Sequence, residues 1–362
     1  MDDPFGGETA ISNSEEGLRY RGYSIQDLAD ESSFIETAYL LLEGELPSQE
    51  HLADFRALLG DLADVDVSII DFIEEIPLHV PQIDVLRTTV SMLANFDPQP
   101  DETGPATNLD KARRLLAQLP VLIAARQRHM LGLPMIDSDP EFSYSANLLY
   151  MITGEEPSAL QEKAMDVSLI LWAEQEIDAS TLAARVVTST QSDIYSAVVA
   201  ALGTLKGPLL GGAAEDVFHT LMGHADPLDE WVREVLAAET PMAGFGHGAN
   251  GEADPRAAIL QQYCTELADE AGNFSLEESA EVIERIVWEE ERLPPRLEWP
   301  SARLYRYLGM DSGLYVPMLA VGRASGWCAH VIEQTQDNQP IHHASRYIGS
   351  GPRAYEPVSE RG

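Results

Sequence analysis

The chain has 362 residues, 44% of them hydrophobic, which is enough for a sizeable core in one large domain or two. Sixty acidic side chains against 23 basic ones give a formal charge of −37, and the only lysines are Lys111, Lys163 and Lys206. Acid spread along the whole length argues against nucleic acid as a partner and for a halophilic protein kept hydrated in concentrated salt, where the Debye length falls to about 3 Å near 1 M; a merely acidic protein of ordinary salt is the alternative.

The opening MDDPFGGE is acidic and has no apolar h-region, and apolar runs such as 197–202 are far too short for a membrane span. A cytoplasmic protein without a membrane partner is expected. Capping-box spacings at Ser24 to Asp27 and Ser33 to Glu36 place helix starts, the second opening a helix over 33–43. Further helical patterns cover 51–64, 111–130, 143–153, 158–175 and 179–203. Gly and Pro then cluster at 207–212, in LKGPLLGGAAEDV, where backbone must approach something closely.

Helical patterns resume over 226–238. A second Gly/Pro cluster spans 244–255, followed by a helix over 255–271. Ser275 to Glu278 reads as a third capping box. After it Leu276, Ala280, Ile283 and Val287 recur at helical spacing until Pro294-Pro295. Helices over 301–308 and 313–333 complete the pattern. Cys264 and Cys328 lack any CxxC pair or histidine set and read as buried structural thiols; no metal site is expected. The whole reads as a mostly helical protein with a middle subdomain inserted near 211–316.

Six blocks in order now carry a resemblance: GLRYRGYSIQDLA (17–29), SFIETAYLLLEGELPS (33–48), STLAARVVTSTQSDIYSAVVAALGTLKGPL (180–209), GFGH (244–247), DPRAAIL (254–260) and GWCAHVIEQ (326–334). Together they resemble the citrate synthase family, most closely its short archaeal and bacterial members, from about Ile11 to about Gly349. The resemblance implies an all-α, two-domain fold: a large domain over 1–210 and 317–362, a small one over 211–316, and an active-site cleft between them. It further implies a homodimer, or a heterodimer with a paralogue. Substrates would be a coenzyme A thioester and a small anionic 2-oxoacid, oxaloacetate in the family, with no permanently bound cofactor. A carboxylate removes a methyl proton, one histidine donates to the thioester oxygen as the enolate forms, and another polarises the ketone.

Carried over position by position, the resemblance puts Leu210 where the family has the first histidine and Ala214 where it has an asparagine. His247 matches the ketone-polarising histidine, with Gly244, Phe245 and Gly246 before it on the cofactor side; GANGEA then replaces the basic residues that hold phosphates. Arg256 and Arg323 match the arginines that clamp oxaloacetate, although internal ion pairing is an equally available role. Trp172 and Gln175 replace the two histidines of the HADHE box, and Gln175 keeps one amide donor. Glu298 falls on the catalytic aspartate, one methylene longer, or is one more surface acid. His342 and Ala344 stand where the family's C-terminal arginines reach the partner subunit, and a weak metal pair of His342 with His343 reads less well than an exposed tail.

A lost enolate donor costs roughly 100- to 1,000-fold, and a base displaced by about 1 Å on the order of 100-fold. Three readings compete: a catalytically silent scaffold, regulatory subunit or heterodimer partner; an enzyme for another acyl-CoA and 2-oxoacid; and a working citrate synthase whose missing groups stand at positions other than those matched above.

Overall fold

In the computed structural model residues 7–15, 17–223, 227–238, 240–246, 253–336, 338–342 and 345–361 are described. A small antiparallel sheet near the N-terminus, β1 (Ser12–Asn13), β2 (Arg19–Tyr20) and β3 (Tyr23–Ser24), pairs Ser12 with Tyr20 and Tyr20 with Tyr23. Helices follow: α1 (Ile25–Glu31), α2 (Phe34–Glu43), α3 (Gln49–Leu62), α4 (Val67–Glu75), α5 (Gln82–Leu93) and α6 (Pro105–Met130). Next come α7 (Tyr144–Thr153), α8 (Ala159–Trp172), α9 (Ala179–Ser189), α10 (Ile194–Leu205) and α11 (Ala213–Met222). Then come α12 (Leu228–Ala237), α13 (Pro255–Ala271), α14 (Ser275–Glu291), α15 (Glu298–Tyr307) and α16 (Tyr315–Gln336). The all-α class expected from the sequence is the class observed.

Short polar side chains start most of these helices by accepting an otherwise orphaned backbone N–H. Ser24 accepts from the Asp27 amide and Ser33 from Glu36, as expected. The full reciprocal box, with Ser158 and Gln161 bonding each other's backbone, opens α8 instead, where the sequence reading placed only a helix. At α14 the cap is not Ser275: Asn273 Oδ1 accepts from both the amide and the hydroxyl of Ser275, because a carboxamide two residues upstream reaches them first. The expected single helix over 179–203 is two. Gln191 adopts φ +64° and Asp193 accepts the Ser196 amide, so α10 starts afresh. Helices α4, α5 and α11 were not anticipated.

α16 is the axis of the fold. It is buried along almost its whole length and packs against α2, α6, α8, α9 and α10. Gly322 and Gly326, one helical turn apart, let α8 and its C-terminal extension lie against α16. A Cβ at Gly322 would stand 2.9 Å from the Leu169 carbonyl, and one at Gly326 would collide with the Ala173 carbonyl and Glu174 Oε2. This close approach brings the ends of two helices that carry site residues into register.

The long α6 contains Pro120, which has no N–H to offer the carbonyl four residues back. The Tyr144 hydroxyl donates to that Leu116 carbonyl at 2.8 Å and replaces the missing bond. Tyr144→Phe is expected to destabilise the protein by about 1 kcal/mol, read as a shifted denaturant midpoint. Adding Pro120→Ala should recover part of the loss, because the restored amide can bond Leu116; no recovery would mean that the hydroxyl matters for another reason.

Candidate active-site cleft

The C-terminal end of α8 leaves carbonyls without helical partners, and the site is built on them. The Tyr20 hydroxyl sits among the carbonyls of Ile170, Leu171 and Glu174. Arg256, at the start of α13, donates Nη1 to the Leu171 carbonyl at 3.3 Å, and Arg323, on α16, donates Nε to the Trp172 carbonyl at 2.8 Å. Two guanidinium groups thus meet the negative end of one helix dipole. Both are buried, at 6% and 1% exposure.

Each buried cation carries its own carboxylate. Asp254 takes Arg256 in a fork, Nε to Oδ1 at 2.9 Å and Nη2 to Oδ2 at 2.8 Å, and also caps α13 through the Arg256 amide. Asp178 Oδ2 takes Arg323 Nη1 at 2.5 Å while its Oδ1 caps α9 through the Thr181 amide at 2.8 Å. Arg323 Nη2 donates to Gln175 Oε1 at 3.0 Å. A guanidinium only donates, so the Gln175 oxygen faces it and the amide –NH2 is turned away. Burial alone would raise the carboxyl pKa of Asp178 and Asp254, but the adjoining arginine charge and hydrogen bonds outweigh it and hold both below the ordinary value. For Arg256, burial opposes the charge, while Asp254, then Tyr20 and Glu298, favour it, and the balance raises its pKa.

The second side of the cleft comes from residues 244–246 and α15. The Gly246 amide donates to the Pro294 carbonyl at 3.0 Å and the Arg296 amide to the Gly244 carbonyl at 2.8 Å, pinning Gly244, Phe245 and Gly246 beside the segment that leads into α15. Gly244 has φ +80°, and a Cβ there would lie 2.7 Å from Val217 Cγ2 on α11. The Phe245 and Trp299 rings pack with their centroids 4.6 Å apart, tilted by 53°. Glu298, buried at the first position of α15, lies 3.6 Å from Arg296 Nη2 and within electrostatic reach of Arg256. Trp172 donates its indole N–H to Ser301 Oγ at 3.0 Å, so α8 and α15 are joined directly.

The structure therefore brings Arg256, Arg323, Gln175 and Trp172 together around the end of α8, with Glu298 within electrostatic reach of Arg256 and the 244–246 segment held against the start of α15. His247 and Ala344 lie outside the described residues, as does His343. His342 is exposed, its Nδ1 3.4 Å from the Pro340 carbonyl. In the 207–212 turn the exposed tip is Leu209, at 96%, while Leu210 turns inward and packs on the core. A Cβ at Gly211 would stand 2.8 Å from the Leu205 carbonyl, which explains the glycine. Ala214 is fully buried. Burial pushes the thiols of Cys264 and Cys328 up to about 12, so both stay protonated and inert. Among the described residues no group of three or more His, Cys, Asp or Glu side chains is placed to hold a metal ion.

Sequence reasoning passed over Tyr20, Asp178, Arg296 and Ser301. Asp178 has a legible role as an N-cap three residues before Thr181, but its partner Arg323 is 145 residues away and no local pattern announces it.

Fold and side-chain cluster define a helical protein with two buried arginines gathered at the end of one helix. Residues 4–344 match the profile described as "Citrate synthase, C-terminal domain". The chain is 38% identical to citrate synthase 2 of Bacillus subtilis, covering 96% of this chain and 94% of that protein. It is 39% identical to the citrate synthase of Haloferax volcanii, over 95% and 93%. For the 2-methylcitrate synthase of Shewanella oneidensis the figures are 36%, 98% and 96%. Among solved structures, citrate synthase from Thermoplasma acidophilum, in a ternary complex with carboxymethyl coenzyme A and oxaloacetate, superposes with a TM-score of 0.91 at 27% identity, covering 98% of this chain and 97% of that one. The Pyrobaculum aerophilum enzyme gives 0.88 at 30%, over 98% and 93%. The chain belongs to the citrate synthase family.

Arg323→Met would strand Asp178 as a buried, unpaired carboxylate and is expected to cost about 3–5 kcal/mol by thermal unfolding. Because Asp178 and Asp254 sit below the unfolded value, their pairing contributes fully above about pH 4 and is lost as pH falls through the folded values. Acid unfolding below pH 4 should accordingly be shallower in Asp178→Asn than in the wild type; an unchanged slope would show that this pair does not carry the effect.

Proposed function

We propose that this protein does not condense acetyl-CoA with oxaloacetate at the rate of an ordinary citrate synthase, and that it serves as a silent or regulatory subunit built on that scaffold. One observation carries the reading: at the 207–212 turn the side chain facing inward is the aliphatic Leu210, with fully buried Ala214 one helical turn on, so this turn offers the thioester oxygen no side-chain donor. Loss of one such donor costs roughly 100- to 1,000-fold. Glu298, the candidate base, is paired with Arg296 and longer than an aspartate, and a displacement of about 1 Å costs on the order of another 100-fold. The assembly in this reading is a homodimer or a heterodimer with a paralogue, the segment 211–316 acting as the smaller of two domains. The charge of −37 supports a setting of high salt inside the cell.

A second reading, an acyltransferase for another acyl-CoA and 2-oxoacid, draws on the gathering of Arg256, Arg323, Gln175 and Glu298 in one cleft.

In high salt, release of CoA thiol from acetyl-CoA and oxaloacetate should fall at least about 10⁴-fold below the rate of the Haloferax volcanii relative. Citrate formation near that rate would remove the proposal. Leu210→His with Ala214→Asn should raise thiol release at least about tenfold, since it returns a donor to a turn whose backbone is already shaped; no gain would place the defect elsewhere in the cleft.

A further inference from the structure

Three guanidinium groups, Arg256, Arg323 and Arg296, face three carboxylates, Asp254, Asp178 and Glu298. Of these pairs the Arg323 pair is the most deeply enclosed, and all three of its nitrogens are engaged: Nε by Trp172, Nη1 by Asp178 and Nη2 by Gln175. Asp178 is also held in place independently of Arg323, by the Thr181 amide at 2.8 Å and the Ser180 hydroxyl at 2.7 Å. Its carboxylate is therefore a fixed occupant of the guanidinium, and an incoming anion meets an ion pair with no net charge. The Gln175 –NH2, left over once Oε1 has accepted from Arg323, is a neutral donor beside the pair.

We propose that Asp178 is a specificity determinant of this cleft: as the resident carboxylate on Arg323 it turns the subsite against a second ligand carboxylate and toward singly charged 2-oxoacids that bond the Gln175 amide. The inference rests on reading the end of α8 as the oxoacid side of a citrate-synthase-family site. It is independent of whether the protein turns over.

The test compares oxaloacetate with pyruvate by titration calorimetry on the intact chain in high salt. Wild type is expected to bind oxaloacetate less than threefold more tightly than pyruvate. Asp178→Asn keeps the oxygen that caps α9 but removes the charge, and should shift the ratio toward oxaloacetate by at least threefold and by about tenfold at full effect. Asp178→Ser, which also caps, serves if the first variant does not fold. Adding Arg323→Gln to either variant should abolish the shift. A merely structural Asp178 would change both affinities together and leave the ratio alone. A wild-type preference for oxaloacetate of threefold or more, a shift below threefold, or failure of both folded variants to bind oxaloacetate overturns the proposal. Efficient citrate formation would instead strike at the silent-subunit reading, which this ratio does not measure.

Discussion

Two positive charges held at the C-terminal end of α8 are the constraint on which the rest of the cleft depends. Exposed carbonyls at a helix end attract cations, but burying a guanidinium costs several kcal/mol unless hydrogen bonds and an opposite charge compensate it. Here hydrogen bonds and a carboxylate compensate each arginine, and the groups gathered at this helix end come from different parts of the chain: Tyr20 from β2, Asp178 from the start of α9, Asp254 with Arg256 from the start of α13 and Arg323 from the middle of α16. Four elements remote in sequence are thereby fixed around one helix end. Shifting α9 against α16 would separate Asp178 from Arg323 and leave both charges buried and unpaired.

Behind this layer runs a second polar chain that fixes the segment after α8. Arg185 donates to His330 Nδ1 at 2.9 Å, so the histidine proton lies on Nε2, which donates to Glu174 Oε1 at 3.0 Å. Arg185 also pairs with Glu333 at 2.7 Å, and Ser12 Oγ donates to Glu174. Glu174 and His330 are fully buried. The other Glu174 oxygen, Oε2, has no hydrogen-bond partner among the described residues and lies over Gly326. A side chain at position 326 would have no room, so the glycine and the acid depend on each other. With Glu174 anchored, Gln175 and the left-handed Glu176 follow in a set conformation, and Gln175 is delivered to Arg323.

Helix periodicity, serine caps and the Pro294-Pro295 stop made most of the fold legible, and the six motif blocks made the family legible. What escaped was non-local or locally ambiguous. The break between α9 and α10 depends on one residue with positive φ, Gln191, inside a run that otherwise continues the helical pattern. Glu277, an acid beside the apolar positions read at 276, 280, 283 and 287, is buried because Arg303, itself fully buried, comes within 3.1 Å from α15. The same limit governed the site: Arg256 and Arg323 were found by motif, but their neutralisation by Asp254 and Asp178 emerges only when the helix ends are brought together. Sequence showed which cations are present; only the packing showed that they are already partnered.

The scarcity of lysine fits this picture. An acid-rich surface holds water through carboxylates, and a free surface lysine would add little to that, so the lysines that persist should be those with an internal task. All three are tied down. Lys111 is buried and donates to the carbonyls of Pro100 and Glu102; Lys163 donates to the Ala29 carbonyl; Lys206, just before the 207–212 turn, pairs with Asp84 at 2.6 Å and anchors the end of α10 to α5. Arg126 does the same in the core, gathering the carbonyls of Ile76, Pro77 and Val80 after α4. In these four positions a cation serves as a multidentate cap for backbone carbonyls or anchors two helices together. Arg256 and Arg323 obey the same rule, each donating to a backbone carbonyl at the end of α8 and pairing with a carboxylate.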